Sequence, residues 1–221
     1  HHQRFWGFEG RHALKVWING TFVNDGDARV GVFDAGFQHG VGLFETMIAR
    51  NGTIFRVTQH MERLAESASI LRLTEYLQVD PLVRALDNTL KENDQQEARM
   101  RLTITGGDLN LLQRTGDSGG DPTIVIQTQP PTKYPTSFFE KGVTVSIASG
   151  RINPYEFGAG HKTLNYWSNL RNLQTAAMQQ CGESLLLTPS AHVAGGCVSN
   201  IFIVSEGAIF TPPARGEEGD Q

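Results

Sequence analysis

Cysteine is almost missing from this 221-residue chain, which carries only Cys181 and Cys197. Two thiols cannot make a disulfide framework, and there is no C-x-x-C pair to hold zinc. Excess positive charge is missing as well: 19 Lys and Arg stand against 23 Asp and Glu, a net charge of −4. No basic field therefore draws in nucleic acid or anionic lipid, and any phosphate site must be local. No apolar run approaches the roughly 20 residues that a membrane-spanning helix needs, and nothing resembles a signal peptide. The G-x-S-x-G, H-E-x-x-H and P-loop signatures do not occur. His12, His161 and His192 are scattered, while His39 and His60 lack metal-ligand spacing, so no metal site is expected. These absences predict a cytoplasmic protein with neither nucleic acid nor membrane as partner.

What is present is the make-up of a globular protein, 39% hydrophobic and 19% charged. Asn19-Gly20 and Asn51-Gly52 each separate two apolar runs, the strongest short-range hairpin cue, and Glu206-Gly207 repeats the pattern. Thr58 reads as an N-cap ahead of Met61, Leu64, Ala65, Ala68 and Leu71 at helical spacing. Asp80-Pro81 reads as a second helix start before Leu82, Val83, Leu86 and Leu90. Strands are expected through Met100, Leu102 and Ile104, at 123–127, through Val143, Val145 and Ile147, and at 184–187. A helix stripe runs through Tyr166, Leu170, Leu173 and Ala177. The three prolines in QPPTKYPT, 129–136, mark an interdomain linker. The fold class is α+β with two domains, a small N-terminal one over 14–132 and a second over 133–221. The start at His1-His2, the aperiodic stretch to residue 13 and the polar ending ARGEEGDQ predict a fragment or an incomplete reading frame. The strand ending at Phe210 is then expected to lack sheet partners.

Four stretches hold chemistry-bearing residues. In GAGHKTLNYW, Lys162 has aromatics four and five residues on, and an amine in apolar company becomes a nucleophile as its pKa falls. The alternative is a solvated lysine at a loop–helix junction. Arg56, in FRVTQHMERL, lies between a strand and a helix start and suits an anion, although position alone favours pairing with a carboxylate. In VAGGCVSNIF, Gly195 and Gly196 allow close backbone approach and Ser199 and Asn200 offer hydrogen bonds; a tight turn is the other explanation. Cys197 has no base nearby in sequence and reads as a small buried residue. The loop DAGFQHGVGLFET, 34–46, suits a substrate-facing lip, and its glycines precede a strand, not a helix, so it is no nucleotide fingerprint.

Taken in order, DAGFQHGVGLFET, NGTIFRVTQHMERL, HKTLNYWSNL, VAGGCVSNIF and TPP resemble the class IV aminotransferases. These are the fold-type IV pyridoxal-phosphate enzymes, including branched-chain and D-amino-acid aminotransferases and 4-amino-4-deoxychorismate lyases. The resemblance runs from about Val16 to Pro213. It implies pyridoxal 5′-phosphate as cofactor and Lys162 as the Schiff-base lysine that moves the proton at the substrate Cα. It further implies that Arg56 holds the phosphate, that Tyr166 orients the ring, and that Gly195, Ser199, Asn200 and nearby backbone N–H groups line the cofactor. Phe37, His39, Phe44 and Thr46 would border an amino-acid or 2-oxo-acid substrate in a cleft between the domains of a homodimer. The chain departs from the pattern at Gly195, where the family usually has a glutamate for the pyridine nitrogen. It departs again at Val41, at Gly106, and past TPP, where an LPG-like segment is expected. The resemblance implies an aminotransferase of branched-chain or D-amino-acid type, with the lyase and a degenerate member with impaired cofactor binding as alternatives.

Overall fold

A computed structural model describes residues 14–108 and 121–213. His12 with the aperiodic opening, and the ARGEEGDQ ending, lie outside the described residues. The chain divides into two compact units between Thr132 and Lys133, within the proline-rich stretch.

The first unit opens with a hairpin, β1 (Lys15–Ile18) and β2 (Thr21–Asn24), and one helical turn follows, α1 (Ala35–His39). Next come β3 (Gly42–Arg50), β4 (Thr53–Ile54), α2 (Val57–Ile70), α3 (Val79–Glu92), β5 (Ala98–Thr105) and β6 (Ile124–Gln129). The strands make one sheet in the order β2-β1-β6-β5-β3-β4, antiparallel at every pairing. Asn19-Gly20 and Asn51-Gly52 take positive φ at both positions, which gives the turn a twist matching that of the strands. Leu43, Met47, Met100, Leu102, Ile104 and Ile126 point to one face and meet Met61, Leu64, Leu82, Leu86 and Leu90 from the helices, all of them buried. Fully burying one such side chain contributes about 1.5–3 kcal/mol.

Both helices start earlier than the sequence cues predict. The N-cap of α2 is Arg56, not Thr58, which sits in the first turn. The N-cap of α3 is Gln78, so Asp80 and Pro81 occupy its first turn. That placement remains favourable, since a carboxylate there faces the positive end of the helix and proline's missing N–H has no intrahelical partner to lose. The 34–46 stretch is not all loop: residues 35–39 form α1 and the strand begins at Gly42.

The second unit holds α4 (Thr136–Lys141), unmarked by the sequence cues, then β7 (Val145–Arg151), α5 (Trp167–Met178), β8 (Glu183–Leu187) and β9 (Val193–Gly196). β7 and β8 are parallel, joined across by α5, and β9 adds antiparallel to β8. The small core is Ala148, Leu186 and Cys197 with Leu173 and Ile152 against it. The face of α5 that packs is rotated from the expected stripe: Ala176 is buried and Leu170 is 49% exposed. Tyr166 is the residue before the helix, its N-cap. The last hairpin, β10 (Ile203–Ser205) and β11 (Ala208–Phe210), forms a two-stranded sheet of its own. Ile203, Val204, Ile209 and Phe210 are all exposed there.

Candidate active site

In the first unit, the side chains of β3 alternate. Leu43, Glu45 and Met47 turn to the helices, which leaves Phe44 and Thr46 on the opposite face. Arg101 pairs with Thr46 across the sheet and its guanidinium lies 3.9 Å from the centre of the Phe44 ring. Phe44 is buried and Thr46 half-buried, whereas Phe37 and His39 on α1 are exposed. Asp34 ties α1 to that same face. Its carboxylate accepts from Thr105 Oγ1 and Thr123 Oγ1, both at 2.7 Å, and from the Gly36 N–H at 2.7 Å. Three donors satisfy a carboxylate that is only 4% exposed. All four expected substrate-bordering residues thus belong to one side of the sheet, though Phe44 lies under Arg101 with little surface of its own.

Arg56 is exposed at the start of α2, its guanidinium 5.5 Å from the Phe55 ring centre. Among the described residues no carboxylate lies within ion-pair distance of it. The carboxylate pairing that position alone allowed is therefore not made, and the charge stands beside the free first-turn N–H groups of a 14-residue helix. The acidic residue that does serve this helix is Glu45. Arg63 donates to it twice, from Nε at 2.7 Å and Nη2 at 2.6 Å, and His60 Nδ1 lies 2.8 Å from Oε2. A carboxylate only accepts, so His60 carries its proton on Nδ1. Arg63 Nη2, 3.2 Å from that same nitrogen, then makes a contact there and no hydrogen bond. Burial pushes the Glu45 carboxyl up, but the bonds from His60 and Arg63 and the Arg63 charge outweigh it and hold the group below the usual carboxylate range.

In the second unit, Lys162 is half-buried in the loop before α5, as is Tyr166. Asn169 Nδ2, in the first turn of α5, donates to the Cys197 carbonyl at 2.7 Å. This bond joins the lysine-bearing segment to the loop that carries Gly195, Ser199 and Asn200. Glu183 organises the same loop, accepting from the N–H groups of Ser184 (2.8 Å), Cys197 (3.1 Å) and Val198 (3.4 Å) and from Ser199 Oγ (2.7 Å). Burial raises the Glu183 carboxyl, yet these four donors together bring it below its ordinary value. The Ser199 hydroxyl is therefore held by Glu183. Gly195 and Asn200 line a cleft of about 370 Å³ together with Ile201, Thr211, Pro212 and Pro213. Gly195 has φ of 153°, which side-chain-bearing residues rarely adopt, and a Cβ there would meet only the Ser199 carbonyl oxygen, at 3.8 Å. Space for a larger residue exists; the backbone conformation does not suit one.

Cys197 is 1% exposed and donates to the Ser184 carbonyl. Burial, then the negative Glu183, pushes its thiol up to about 11, so the nucleophilic thiolate is scarce near neutral pH. Iodoacetamide on the native chain at pH 8 should label Cys181 well before Cys197. Equal labelling of the two would contradict the packing described.

The profile of the Amino-transferase class IV family matches residues 42–217, and the chain belongs to that family. It is 34% identical over 203 residues to a putative branched-chain-amino-acid aminotransferase of Methanocaldococcus jannaschii, covering 90% of this chain and 68% of the relative. Identity to the aminodeoxychorismate lyase of Bacillus subtilis is 30% over 203 residues, 89% of this chain and 67% of the lyase. The structure of the Escherichia coli branched-chain amino acid aminotransferase aligns with TM-score 0.82 at 27% identity, over 91% of this chain and 68% of that one. The chain thus spans about two thirds of the length of these relatives and has the fold-type IV architecture over that span. Class IV aminotransferases are pyridoxal-phosphate enzymes, and another branched-chain amino acid aminotransferase of the same fold was solved with pyridoxamine 5′-phosphate.

Each unit carries residue types that such a cofactor uses. In the first, an arginine at a helix start with no carboxylate partner among the described residues suits its phosphate, and in the second a half-buried lysine suits its aldehyde. The fit fails at 195, where the chain holds no carboxylate, and Glu183 is already occupied by four donors. Glu45, Arg63, Asp34, Asn169 and Glu183 were not singled out from sequence. The available signal was a lone carboxylate inside an apolar strand, as in GLFETMIA, where burial demands a cationic partner.

Proposed function

We propose that this chain is a pyridoxal-phosphate-dependent aminotransferase of branched-chain or D-amino-acid type, acting in the cytoplasm on an amino acid and a 2-oxo acid. When bound, the cofactor supplies an electron sink for the bond cleaved at the substrate Cα. Lys162 Nζ would hold the cofactor covalently and, once displaced by the amino donor, would take the proton from the donor's Cα and deliver it to the cofactor's C4′. Arg56 and the first-turn N–H groups of α2 bind the phosphate. Tyr166 orients the ring through its phenolic oxygen. Gly195, Ser199 and Asn200 border the cofactor, Ser199 through its backbone since its hydroxyl is taken by Glu183. Phe37, His39, Phe44 and Thr46 border the substrate. A homodimer is part of the proposal, supported by the exposure of Val32, Phe33, Phe37 and Phe55, each above 60% in the single chain.

The observation that carries the reading is the tie through Asn169 from the Lys162 segment to the Gly195–Asn200 loop, in a chain of this family. Borohydride reduction after incubation with pyridoxal 5′-phosphate should fix the cofactor mass on the peptide containing Lys162. A label on other lysines alone, or none, would count against it. Two further readings each have an observation behind them. The match to the Bacillus subtilis lyase favours a 4-amino-4-deoxychorismate lyase, which would turn over that substrate without a 2-oxo-acid acceptor. Gly195, with its glycine-only backbone, favours a family member whose cofactor binding is impaired.

A further inference from the structure

Arg56 caps α2 with its backbone in the left-handed region, φ 50° and ψ 38°, where an N-cap is normally extended. Its side chain makes no capping hydrogen bond either. The other described non-glycine residues with positive φ have ordinary settings. Asn19, Asn51 and Glu206 are hairpin turns, Arg72, Asp94 and Gln180 follow helix ends, and Ala191 sits in a tight turn. A left-handed non-glycine residue is strained and persists only where its surroundings over-determine it.

Here a single strand does so from both sides. Upstream, β4 pairs with the end of β3, Ala49 with Ile54 and Arg50 with Thr53, and the Phe55 N–H donates to the Ile48 carbonyl at 2.9 Å. Downstream, the His60 N–H donates to the Arg56 carbonyl at 3.1 Å. The side chains of His60 and Arg63 then reach back to Glu45, in the middle of the same strand. Arg56 is thus held between two attachments to β3, one made by backbone pairing and the other by a carboxylate whose side chain is only 2% exposed.

We propose that Glu45 is a positioning residue for Arg56: through Arg63 and His60 it locks the first two turns of α2 to β3 and so keeps Arg56 and the free helix N–H groups converged on one anion. The proposal rests on the reading that Arg56 binds the cofactor's phosphate. Glu45 touches no ligand itself, and its contribution is to the geometry of the arginine alone.

The test compares dissociation constants of the 221-residue chain for pyridoxal 5′-phosphate and for pyridoxal, which lacks the phosphate. The preference for the phosphorylated ligand isolates the phosphate contacts from any general loosening of the fold. Glu45→Gln should lower that preference by about tenfold with the pyridoxal affinity unchanged. Arg63→Lys, which keeps the charge without the two-pronged contact, should give an intermediate preference. The double variant Glu45→Met with Arg63→Met replaces the pair by apolar groups that are commonly tolerated in folding, and it should repeat the loss. The proposal is overturned if Glu45→Gln and the double variant keep the preference, or weaken both ligands equally. Arg56→Gln separates the two claims. If it lowers the preference while the Glu45 variants do not, only the positioning fails; if it leaves the preference intact, the phosphate reading fails and the positioning with it.

Discussion

Replacing Arg63 by alanine is expected to destabilise the chain by about 3 kcal/mol, the low end for breaking a buried ion pair. The low end applies because Arg63 is itself 54% exposed and water already screens it. What remains is Glu45, 2% exposed in its side chain, with His60 as its one side-chain partner from the described set. The pH dependence has a defined sign. In the wild-type chain the Glu45 carboxyl is depressed below its ordinary 4.5, so its contribution is present above that value and lost as pH falls through the folded-state pKa. Without Arg63 only the His60 bond still opposes burial, and the acid-sensitive limb moves to higher pH. Urea melts of both chains at pH 7 and pH 4 would show it. A gap between the two chains at pH 7 that narrows at pH 4 is the expected result. An unchanged midpoint at pH 7 would show that the pair contributes nothing net.

Lys162→Ala is expected to remove turnover of the amino donor by at least 10²–10⁴-fold, roughly the range for a positioned proton-transfer group alone. Loss of the covalent hold on the cofactor adds to that. Added methylamine or ethylamine should return part of the rate, since a free amine can take the proton that Lys162 Nζ takes. Turnover undiminished in Lys162→Ala would refute the assignment of this residue.

The features legible in sequence were those written in adjacent residues. Asn19-Gly20, Asn51-Gly52 and Glu206-Gly207 each turned a hairpin because the turn conformation is local. The helix starts were misplaced by two residues because local cap chemistry at Thr58 and Asp80 lost to constraints from elsewhere. At Thr58, the tie of β4 to β3 sets where the chain can enter α2. The α5 stripe was rotated for a similar reason: Leu173 packs against Ala148, Leu186 and Cys197, and Ala176 is buried while Leu170 stays exposed. The candidate site was half visible. Arg56, Lys162, Tyr166 and Gly195 stand in recognisable runs, whereas Glu45, Asp34 and Glu183 bond side chains 15–89 residues away. Nothing in a carboxylate's immediate neighbours states which distant donor will reach it.

The pairing of β1 with β6 sets an order on biosynthesis. Trp17 pairs with Ile126 and Ile18 with Val125, so the β1–β2 hairpin joins its sheet through a strand made about a hundred residues later. At about 5–20 residues per second, β1 waits on the order of 5–20 seconds for the strand that joins it to the sheet, with Asn93 at the end of α3 bonding the Lys15 backbone in the meantime. During that interval α2, α3 and the β3–β4 hairpin can assemble from nearer neighbours. The nascent chain therefore acquires its Arg56 end before its sheet is closed, and the β1 edge is the stretch most in need of a chaperone's cover.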